Sequence, residues 1–371
     1  MKPAFPELKQ NFGFGCMRLP MDHDEVDDVE FTKMIDTFLE NGFCYFDTAH
    51  GYLSGKSEQA IKRCLTSRHP RESYLLTNKL TQPYFHSESD IRPFFEQQLN
   101  ACGVDYFDFY LMHAVSSENY PHFVNCHAFE IAQQLKNEGK IRRVGMSFHD
   151  KAHVLDRILT EHPEIEVVQL QFNYADFDDP VVESDKCYNV CVAHGKPVIV
   201  MEPVKGGRLV DLPAEAGALL DQLQNGSYAS YALRFCASFP QVCMILSGMG
   251  NMDMMRENIR VMSECSPLSD QERETIDRVR DILKTKSLIG CTACRYCVDG
   301  CPKHIPIPEL FACYNEKKQR PKSDISERYL ACTQGGGLPT DCIQCGACER
   351  VCPQHLNIIK LLRSTARALM N

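Results

Sequence analysis

Eight cysteines near the C-terminus repeat one spacing, and this repeat constrains the fold more than any other feature of the chain. The two runs are Cys291-x2-Cys294-x2-Cys297-x3-Cys301-Pro302 and Cys342-x2-Cys345-x2-Cys348-x3-Cys352-Pro353. Thiolate sulfur is a soft ligand that suits iron–sulfur clusters or zinc. A zinc ribbon usually needs only paired cysteines, so the third cysteine of each triplet and the closing Cys-Pro favour two 4Fe-4S clusters over zinc.

The same run resembles the cluster-binding segment of bacterial ferredoxins. In that pattern the three close cysteines hold one cluster and the distant fourth cysteine ligates the other. The resemblance therefore implies a crossed ligand set, in which Cys352 completes the first cluster and Cys301 the second. Forty residues separate Cys301 from Cys342, and they contain two helical patterns. Because a compact ferredoxin has a much shorter spacer, we expect a mainly helical ferredoxin-type domain.

Length and charge narrow the remaining possibilities. The chain has 371 residues, enough for a barrel and an appended domain. Its net charge of -9 argues against general nucleic-acid binding, which needs a basic face. No stretch approaches the roughly eighteen apolar residues of a membrane span, and no apolar signal segment is visible at the N-terminus. Twenty cysteines without such a signal indicate a reducing compartment, so we expect a cytoplasmic protein.

Short β-like runs alternate with longer amphipathic stretches from residue 12 to about residue 250. The eight predicted strands are residues 12–19, 44–49, 73–80, 108–114, 142–148, 166–173, 196–204 and 241–248. Most are near-continuous apolar runs, as expected for parallel strands that are buried on both faces. Eight strand–helix units predict an α/β fold of the (β/α)8, or TIM-barrel, type. The alternative is a doubly wound open sheet, which the lack of a GxGxxG fingerprint after an early strand disfavours.

The pattern changes after the last barrel helix. Residues 266–285 read as one more helix that leads directly into Cys291. We therefore predict three segments: a barrel over 1–265, a connecting helix over 266–285 and the cluster domain over 286–371. No low-complexity linker separates them, which favours docked domains.

Polar side chains end three of the predicted strands. Asp47 follows the second strand, Lys79 ends the third and His113 ends the fourth. Tyr52 lies in the loop just after Asp47, and barrel active sites are built at this face. A tyrosine has an ordinary pKa of about 10 and is a poor acid–base group near neutrality unless a cation lowers that pKa. Lys79 could supply the cation, Asp47 could hold the lysine, and His113 could hydrogen-bond a carbonyl oxygen.

These four residues lie in the segments YFDTAHGY, TNKL and LMHA, which resemble the tetrad segments of the aldo-keto reductase superfamily. The resemblance covers about residues 10–262, and the cysteine runs extend it to the branch with a C-terminal ferredoxin-type domain. It implies that Tyr52 donates a proton while a nicotinamide cofactor delivers hydride to a small-molecule aldehyde or ketone. It also implies that Lys79 and Asp47 tune the tyrosine and that His113 orients the carbonyl.

The resemblance also implies a cofactor site. Its candidate residues are Ser147, Gln169, Met201, Pro203, Val204, Gly206, Gly248, Asn251, Glu257 and Asn258. The first two would bind the nicotinamide carboxamide, and Met201 occupies a position where many members have a stacking aromatic ring. EPVKGG (202–207) would form the pyrophosphate loop, whose glycines let backbone approach phosphate closely. Residues 247–258 resemble the adenosine-binding segment, anchored by Glu257 and Asn258.

The chain departs from the family pattern at two kinds of position. Phe148 stands where the family commonly has asparagine, and Gly248 and Met254 stand where a Lys and an Arg usually clamp the 2′-phosphate. A phosphate without a guanidinium clamp is held weakly, so NADH becomes a plausible cofactor beside NADPH. Arg256 or Arg208 is a possible substitute clamp.

Iron–sulfur clusters transfer single electrons, whereas hydride transfer moves two electrons at once. Coupling these two processes normally takes a flavin or a radical-capable group. Three functions are therefore considered. The first is a nicotinamide-dependent carbonyl reductase whose clusters are structural or serve docking. The second is a ferredoxin-linked oxidoreductase with a barrel-bound flavin and a ferredoxin or similar protein as its partner. The third is an electron-transfer or binding module without turnover, which the intact tetrad disfavours.

Overall fold

The computed structural model describes residues 4–286, 288–320 and 322–369. Its strands are β1 (Phe12–Gly15), β2 (Met21–Asp22), β3 (Glu25–Val26), β4 (Tyr45–Asp47), β5 (Leu75–Leu80), β6 (Phe107–Val115), β7 (Ile141–Phe148), β8 (Val167–Gln171), β9 (Val198–Met201) and β10 (Val242–Ser247). Strands β2 and β3 form a small antiparallel hairpin. The other eight strands form a closed parallel barrel, in which β1 pairs with both β4 and β10.

Helices follow the barrel strands and continue to the C-terminus. Those up to the last barrel helix are α1 (Asp28–Glu40), α2 (Lys56–Ile61), α3 (Glu88–Cys102), α4 (Tyr120–Asn125), α5 (Ala128–Asn137), α6 (Ala152–Glu161), α7 (Ser184–Ala193), α8 (Ala214–Asp221), α9 (Tyr228–Ala237) and α10 (Met252–Ser263). The later ones are α11 (Asp270–Thr285), α12 (Tyr296–Asp299), α13 (Ile307–Gln319), α14 (Ser326–Thr333), α15 (Ala347–Arg350) and α16 (Ile358–Leu369).

Local sequence signals explain where the long helices begin and end. Ser87 forms a capping box with Asp90 at the start of α3, and Gly103 ends that helix in the left-handed conformation, with φ +68°. Ser269 and Glu272 form the same reciprocal cap at the start of α11. These caps satisfy backbone N–H groups that have no partner inside the helix.

The barrel interior is filled by side chains. A cluster of buried residues from the strands includes Tyr45, Phe109, Leu111, Val167 and Met244. Every residue of β5 is buried, as expected for a parallel strand covered on both faces. The barrel is therefore a packed core whose polar side chains are displayed at its ends.

The chain divides into two compact units. One runs up to Pro203 and resumes over Ala229–Leu268, and it contains the whole barrel. The other consists of Val204–Tyr228 and the chain from Ser269 onward. Within the second unit α8 packs against α11, and an apolar core from α13 and α16 includes Phe311 and Leu362. The segment after β9 thus packs with the cysteine-rich part of the chain; the domain limits proposed from the sequence stay a prediction.

The predicted (β/α)8 barrel and helical C-terminal region are confirmed. All eight predicted strands form, with ends shifted by up to a few residues. The helix predicted over 266–285 forms as α11, and the two helical patterns between Cys301 and Cys342 form as α13 and α14. The segment LNIIKLLRSTARALM also predicts a last helix, which forms as α16, and its Met370 lies outside the described residues. The sequence did not predict the β2–β3 hairpin, whose strands are two residues each. Among the described helices, none is long and apolar enough to cross a membrane.

Gly145 tests how tightly the barrel strands are pressed together. A Cβ at this position in β7 would lie 2.5 Å from the carbonyl oxygen of Val167 and 2.7 Å from a methyl carbon of Leu111. Gly145→Ala should therefore lower the free energy of unfolding by about 1–3 kcal/mol, the usual cost of overpacking. Gly250→Ala is the control, because the nearest atom to its added Cβ would be 4.0 Å away. Equal denaturant midpoints for the two variants would contradict this account.

Candidate active site and cysteine cages

The four tetrad residues converge at the carboxyl ends of neighbouring strands. Asp47 ends β4, Lys79 is the penultimate residue of β5, and His113 lies near the end of β6. The Lys79 ammonium donates to Asp47 Oδ1 at 2.6 Å and to the hydroxyl of Tyr52 at 3.2 Å. The rings of Tyr52 and His113 lie 6.0 Å apart, edge to face. The structure thus brings together all four residues that the sequence selected.

The lysine is completely enclosed. Its side chain has no exposed surface, and its third hydrogen bond goes to the carbonyl oxygen of Thr48 at 2.8 Å. Burial lowers the pKa of Lys79, and the charge of Asp47 opposes that shift. Asp47 is held in turn through its second oxygen, which accepts a bond from the Gln169 amide at 3.1 Å.

The tyrosine keeps its proton. Burial and, after it, the charge of Asp47 raise the pKa of Tyr52 well above its ordinary value, while Arg18 acts to lower it. Sequence reasoning expected a cation to lower this pKa, and here desolvation is the larger effect. A phenol with a raised pKa is fully protonated at neutral pH, so Tyr52 is poised as a proton donor.

The histidine is neutral. Burial, and then the nearby Lys79 charge, lower the pKa of His113 well below its ordinary value. Its Nδ1 lies 2.7 Å from the hydroxyl oxygen of Thr81. When Thr81 donates to Nδ1, the imidazole carries its proton on Nε2 and can donate it to an oxygen in the site.

A buried polar network supports this arrangement from behind β5. Glu58 accepts from the side-chain amide of Asn78 at 2.8 Å and lies 2.7 Å from His50 Nδ1. Gln98 donates to the Asn78 side-chain oxygen and to the carbonyl oxygen of Lys79, both at 3.0 Å. His50 therefore belongs to this supporting network.

Two of the candidate nicotinamide residues are joined to the tetrad. Ser147 is buried in β7, and its hydroxyl accepts from the backbone N–H of Ala114, next to His113, at 2.8 Å. Gln169 is buried in β8 and bonds Asp47, as described above. Met201 ends β9 and is partly buried, and Pro203 is buried.

The candidate adenosine segment caps and fills the start of α10. Asn251 caps the helix by accepting from the N–H of Met254 at 2.9 Å, and Asn258 is buried and donates to Ser247 at 3.0 Å. Glu257 is partly exposed on the same helix. Both asparagines thus shape the segment whose family counterpart binds adenosine.

The positions of the usual phosphate clamp carry no charge of their own. Met254 is 49% exposed, and Gly248 lies beside the side chain of Arg18. Arg18 forms an ion pair with Glu202 at 3.1 Å. Sequence reasoning missed Arg18, although it falls in the predicted first strand, because nothing local marks its partner at the end of another strand.

The glycine-rich loop after β9 packs tightly on the first cysteine run. Gly206 has φ +63°, and a Cβ there would collide with the carbonyl oxygen of Thr292, the neighbour of Cys291. Arg208 donates to the carbonyl oxygen of Ile289 at 2.6 Å. Val204 precedes this turn and is partly buried. Gly206 therefore allows close approach of protein backbone, and its proposed contact with phosphate stays a prediction.

The eight cysteines gather around two cavities of the second unit, four to each. Cys291, Cys294, Cys297 and Cys352 line one cavity. Cys301, Cys342, Cys345 and Cys348 line the other. Each cavity thus combines three cysteines of one run with the last cysteine of the other run. Four thiolates per cage suit a 4Fe-4S cluster, and the sets match the crossed pattern.

Comparisons with known proteins identify the family of the barrel region and the type of the C-terminal region. The model of the aldo/keto reductase family matches residues 11–281, and the model of a 4Fe-4S dicluster domain matches residues 290–358. The uncharacterized oxidoreductase YqkF of Bacillus subtilis is 21% identical over 67% of this chain and 85% of its own length.

Two further relatives name a cofactor. The NADH-specific methylglyoxal reductase of Escherichia coli is 28% identical over 49% of this chain and 60% of its own length. The structure of an aldo-keto reductase from Klebsiella pneumoniae in complex with NADPH is 20% identical, has a TM-score of 0.59 and covers 73% of this chain and 90% of that one. At that identity, the structural similarity speaks for the fold alone.

The two cavities predict which cysteine variants should resemble each other. Cys301→Ala should leave the same residual cluster spectrum as Cys345→Ala, because both lose a ligand of one cage. Cys352→Ala should match Cys294→Ala for the same reason. Iron and sulfide analysis with electron paramagnetic resonance after anaerobic reconstitution measures this. If Cys301→Ala instead matches Cys294→Ala, the crossed ligand sets are wrong, and zinc in place of iron would exclude clusters.

Proposed function

The chain belongs to the aldo/keto reductase family, and from that premise we propose that it reduces the carbonyl group of a small molecule with a nicotinamide cofactor. The observation that carries the proposal is the buried line from Asp47 through Lys79 to the Tyr52 hydroxyl, with distances of 2.6 and 3.2 Å. We further propose that the C-terminal region holds two 4Fe-4S clusters in the two four-cysteine cages.

The bound nicotinamide supplies the hydride, and the protein manages the proton. Tyr52 is protonated at neutral pH and donates its proton to the carbonyl oxygen as negative charge builds there. The Lys79 ammonium, which bonds the phenol oxygen, stabilises the phenolate that remains. Asp47 fixes the lysine at 2.6 Å, so the ammonium does not need to reorient during the reaction.

His113 orients the substrate in this proposal. A neutral imidazole that accepts from Thr81 at Nδ1 offers its Nε2 proton to the carbonyl oxygen. The oxygen is then held by two donors, His113 and Tyr52, before the proton moves. Because burial keeps the imidazole neutral, it adds no second positive charge beside Lys79.

A ferredoxin-linked oxidoreductase is the second candidate. Two cages of four cysteines each are more than a docking domain requires, and they favour a role in single-electron transfer. Coupling single-electron transfer to a two-electron reduction normally requires a flavin or a radical-capable group. Anaerobic purification followed by cofactor extraction separates the candidates, since a flavin in the extract favours the second. Carbonyl reduction by cluster-free protein with NADH or NADPH favours the first.

Replacement of the proton donor should remove turnover and spare binding. Tyr52→Phe should lower kcat about 100-fold or more, the usual contribution of a positioned acid, with little change in cofactor affinity. In the unaltered protein kcat should stay flat from neutral to mildly alkaline pH, because the raised pKa keeps Tyr52 protonated. Methylglyoxal is a suitable test substrate, given the Escherichia coli relative. Tyr74→Phe, which alters a buried tyrosine before β5, is the control, and a fully active Tyr52→Phe would refute the tetrad.

Cofactor choice follows from the clamp positions. Gly248 and Met254 offer no charge to a 2′-phosphate. A charge-assisted hydrogen bond typically contributes about 1.5–3 kcal/mol to stability or binding, and this site lacks such bonds at both positions. We expect no strong NADPH preference, so the Kd values for NADH and NADPH should differ by less than about tenfold. Fluorescence titration measures both. A strong NADPH preference that Arg18→Ala abolishes would identify Arg18 as the substitute clamp.

A further inference from the structure

One cluster ligand is exposed at the protein surface. Among the twenty cysteines, all of which lie in the described residues, Cys345 alone is exposed. Its neighbour Ile343, which lines the same cavity, is 57% exposed. A large apolar side chain beside an exposed thiolate ligand is an unusual surface for a structural centre, because such a ligand is open to oxidation and exchange.

Basic side chains surround this opening. Lys303 lines the cavity. Arg350 donates to the carbonyl oxygen of Cys345 at 3.4 Å, and Arg363 donates to the Gln344 side-chain oxygen at 2.6 Å. All three cations are exposed, and together with Ile343 they form what we call the rim. The rim is basic although the whole chain has a net charge of -9.

Two carboxylates lie near the rim in sequence, and each accepts a local backbone hydrogen bond. Asp341 accepts from the N–H of Leu338 at 2.8 Å. Glu349 accepts from the N–H of Ile359 at 2.9 Å and is partly buried. Asp341 is itself exposed, so the rim is basic because its three exposed cations outnumber these two carboxylates.

The second unit is continuous from the rim to the loop after β9. Ile307 lines both cysteine cavities, so a single side chain forms part of the wall between them. The other cavity is lined by Cys291 and Thr292, and the backbone of Thr292 contacts Gly206. Within the second unit, a series of contacts therefore joins the exposed cage to the loop that begins at Val204.

We propose that the rim is the docking surface for a small acidic protein that carries single electrons. Its apolar centre and charged edge match the short-lived interfaces of redox partners, which are small and use charge for steering. A nucleic acid would engage the cations alone, whereas Ile343 and the exposed ligand Cys345 favour a protein with a redox centre of its own. This inference rests on the proposed pair of clusters and is independent of the proposed carbonyl reduction.

The exchange at the rim is a one-electron transfer. The reduced carrier would lose one electron, and a cluster held by Cys301, Cys342, Cys345 and Cys348 would gain it. No covalent bond forms or breaks, and no proton moves in this step.

The test uses the anaerobically purified full chain with both clusters and a purified, reduced, acidic 2[4Fe-4S] ferredoxin as the probe. Stopped-flow absorbance gives the second-order rate of electron transfer as a function of ionic strength, and titration gives the Kd of the oxidised pair. Reversing two rim charges with Arg350→Glu and Arg363→Glu should lower the low-salt rate about tenfold or more and flatten its salt dependence. The Kd should rise in parallel.

The matched control changes the same amount of charge elsewhere. Lys33→Glu with Arg157→Glu alters two exposed cations on barrel helices α1 and α6, and it should leave rate and Kd near those of the unaltered protein. Iron and sulfide content confirms that the clusters remain. Should the double rim variant lose its clusters, the single Lys303→Glu variant repeats the test.

Equal rates and salt dependence in the rim and control variants would overturn the proposal, as would a transfer rate that does not depend on salt. Iron analysis showing no second cluster would remove its premise and overturn it as well. Nicotinamide-dependent carbonyl reduction is assayed in the same samples. Loss of docking with turnover retained refutes the rim alone, while docking without any turnover refutes the reductase and leaves the rim supported.

Discussion

The buried ion pair of Lys79 and Asp47 is the interaction on which the rest of the active site depends. Removing an ammonium and a carboxylate from water costs several kcal/mol for each ion, and the cost is offset only when the geometry satisfies both. Here the ammonium has three acceptors, Asp47, the Thr48 carbonyl and the Tyr52 hydroxyl. The buried ammonium needs all three acceptors, and the Tyr52 hydroxyl is one of them, so burial of the ion pair also fixes the position of the tyrosine.

That requirement also explains the polar network behind the strand. If β5 shifted, the ammonium would lose its acceptors, so the strand must be held in register. Gln98 holds it by donating from Nε2 to the carbonyl oxygen of Lys79, and the same nitrogen also donates to the side-chain oxygens of Asn78 and Glu58. Three fully buried polar side chains thus help to place one lysine, and such a network is a stronger sign of a functional site than any single residue.

The sequence predicted most of the fold and the tetrad for definite physical reasons. Parallel strands buried on both faces give continuous apolar runs, and Asp47, Lys79 and His113 mark the ends of three of them. The cysteine spacing also predicted the two cages, because three cysteines that are close in sequence can line one cavity from a single local turn. Thr81 and Arg18 were missed because each acts through a partner on a different strand, and such contacts leave no local pattern.

Gly206 shows a limit of inferring a ligand contact from a sequence motif. Two adjacent glycines predict that something approaches the backbone closely, and this is what the structure has at Gly206. The approaching group is the backbone of Thr292, beside Cys291, and the distance in sequence between the two segments conceals this contact. The conformation of this loop is therefore constrained twice. It continues from strand β9, and it packs on the segment that contains Cys291 and Thr292.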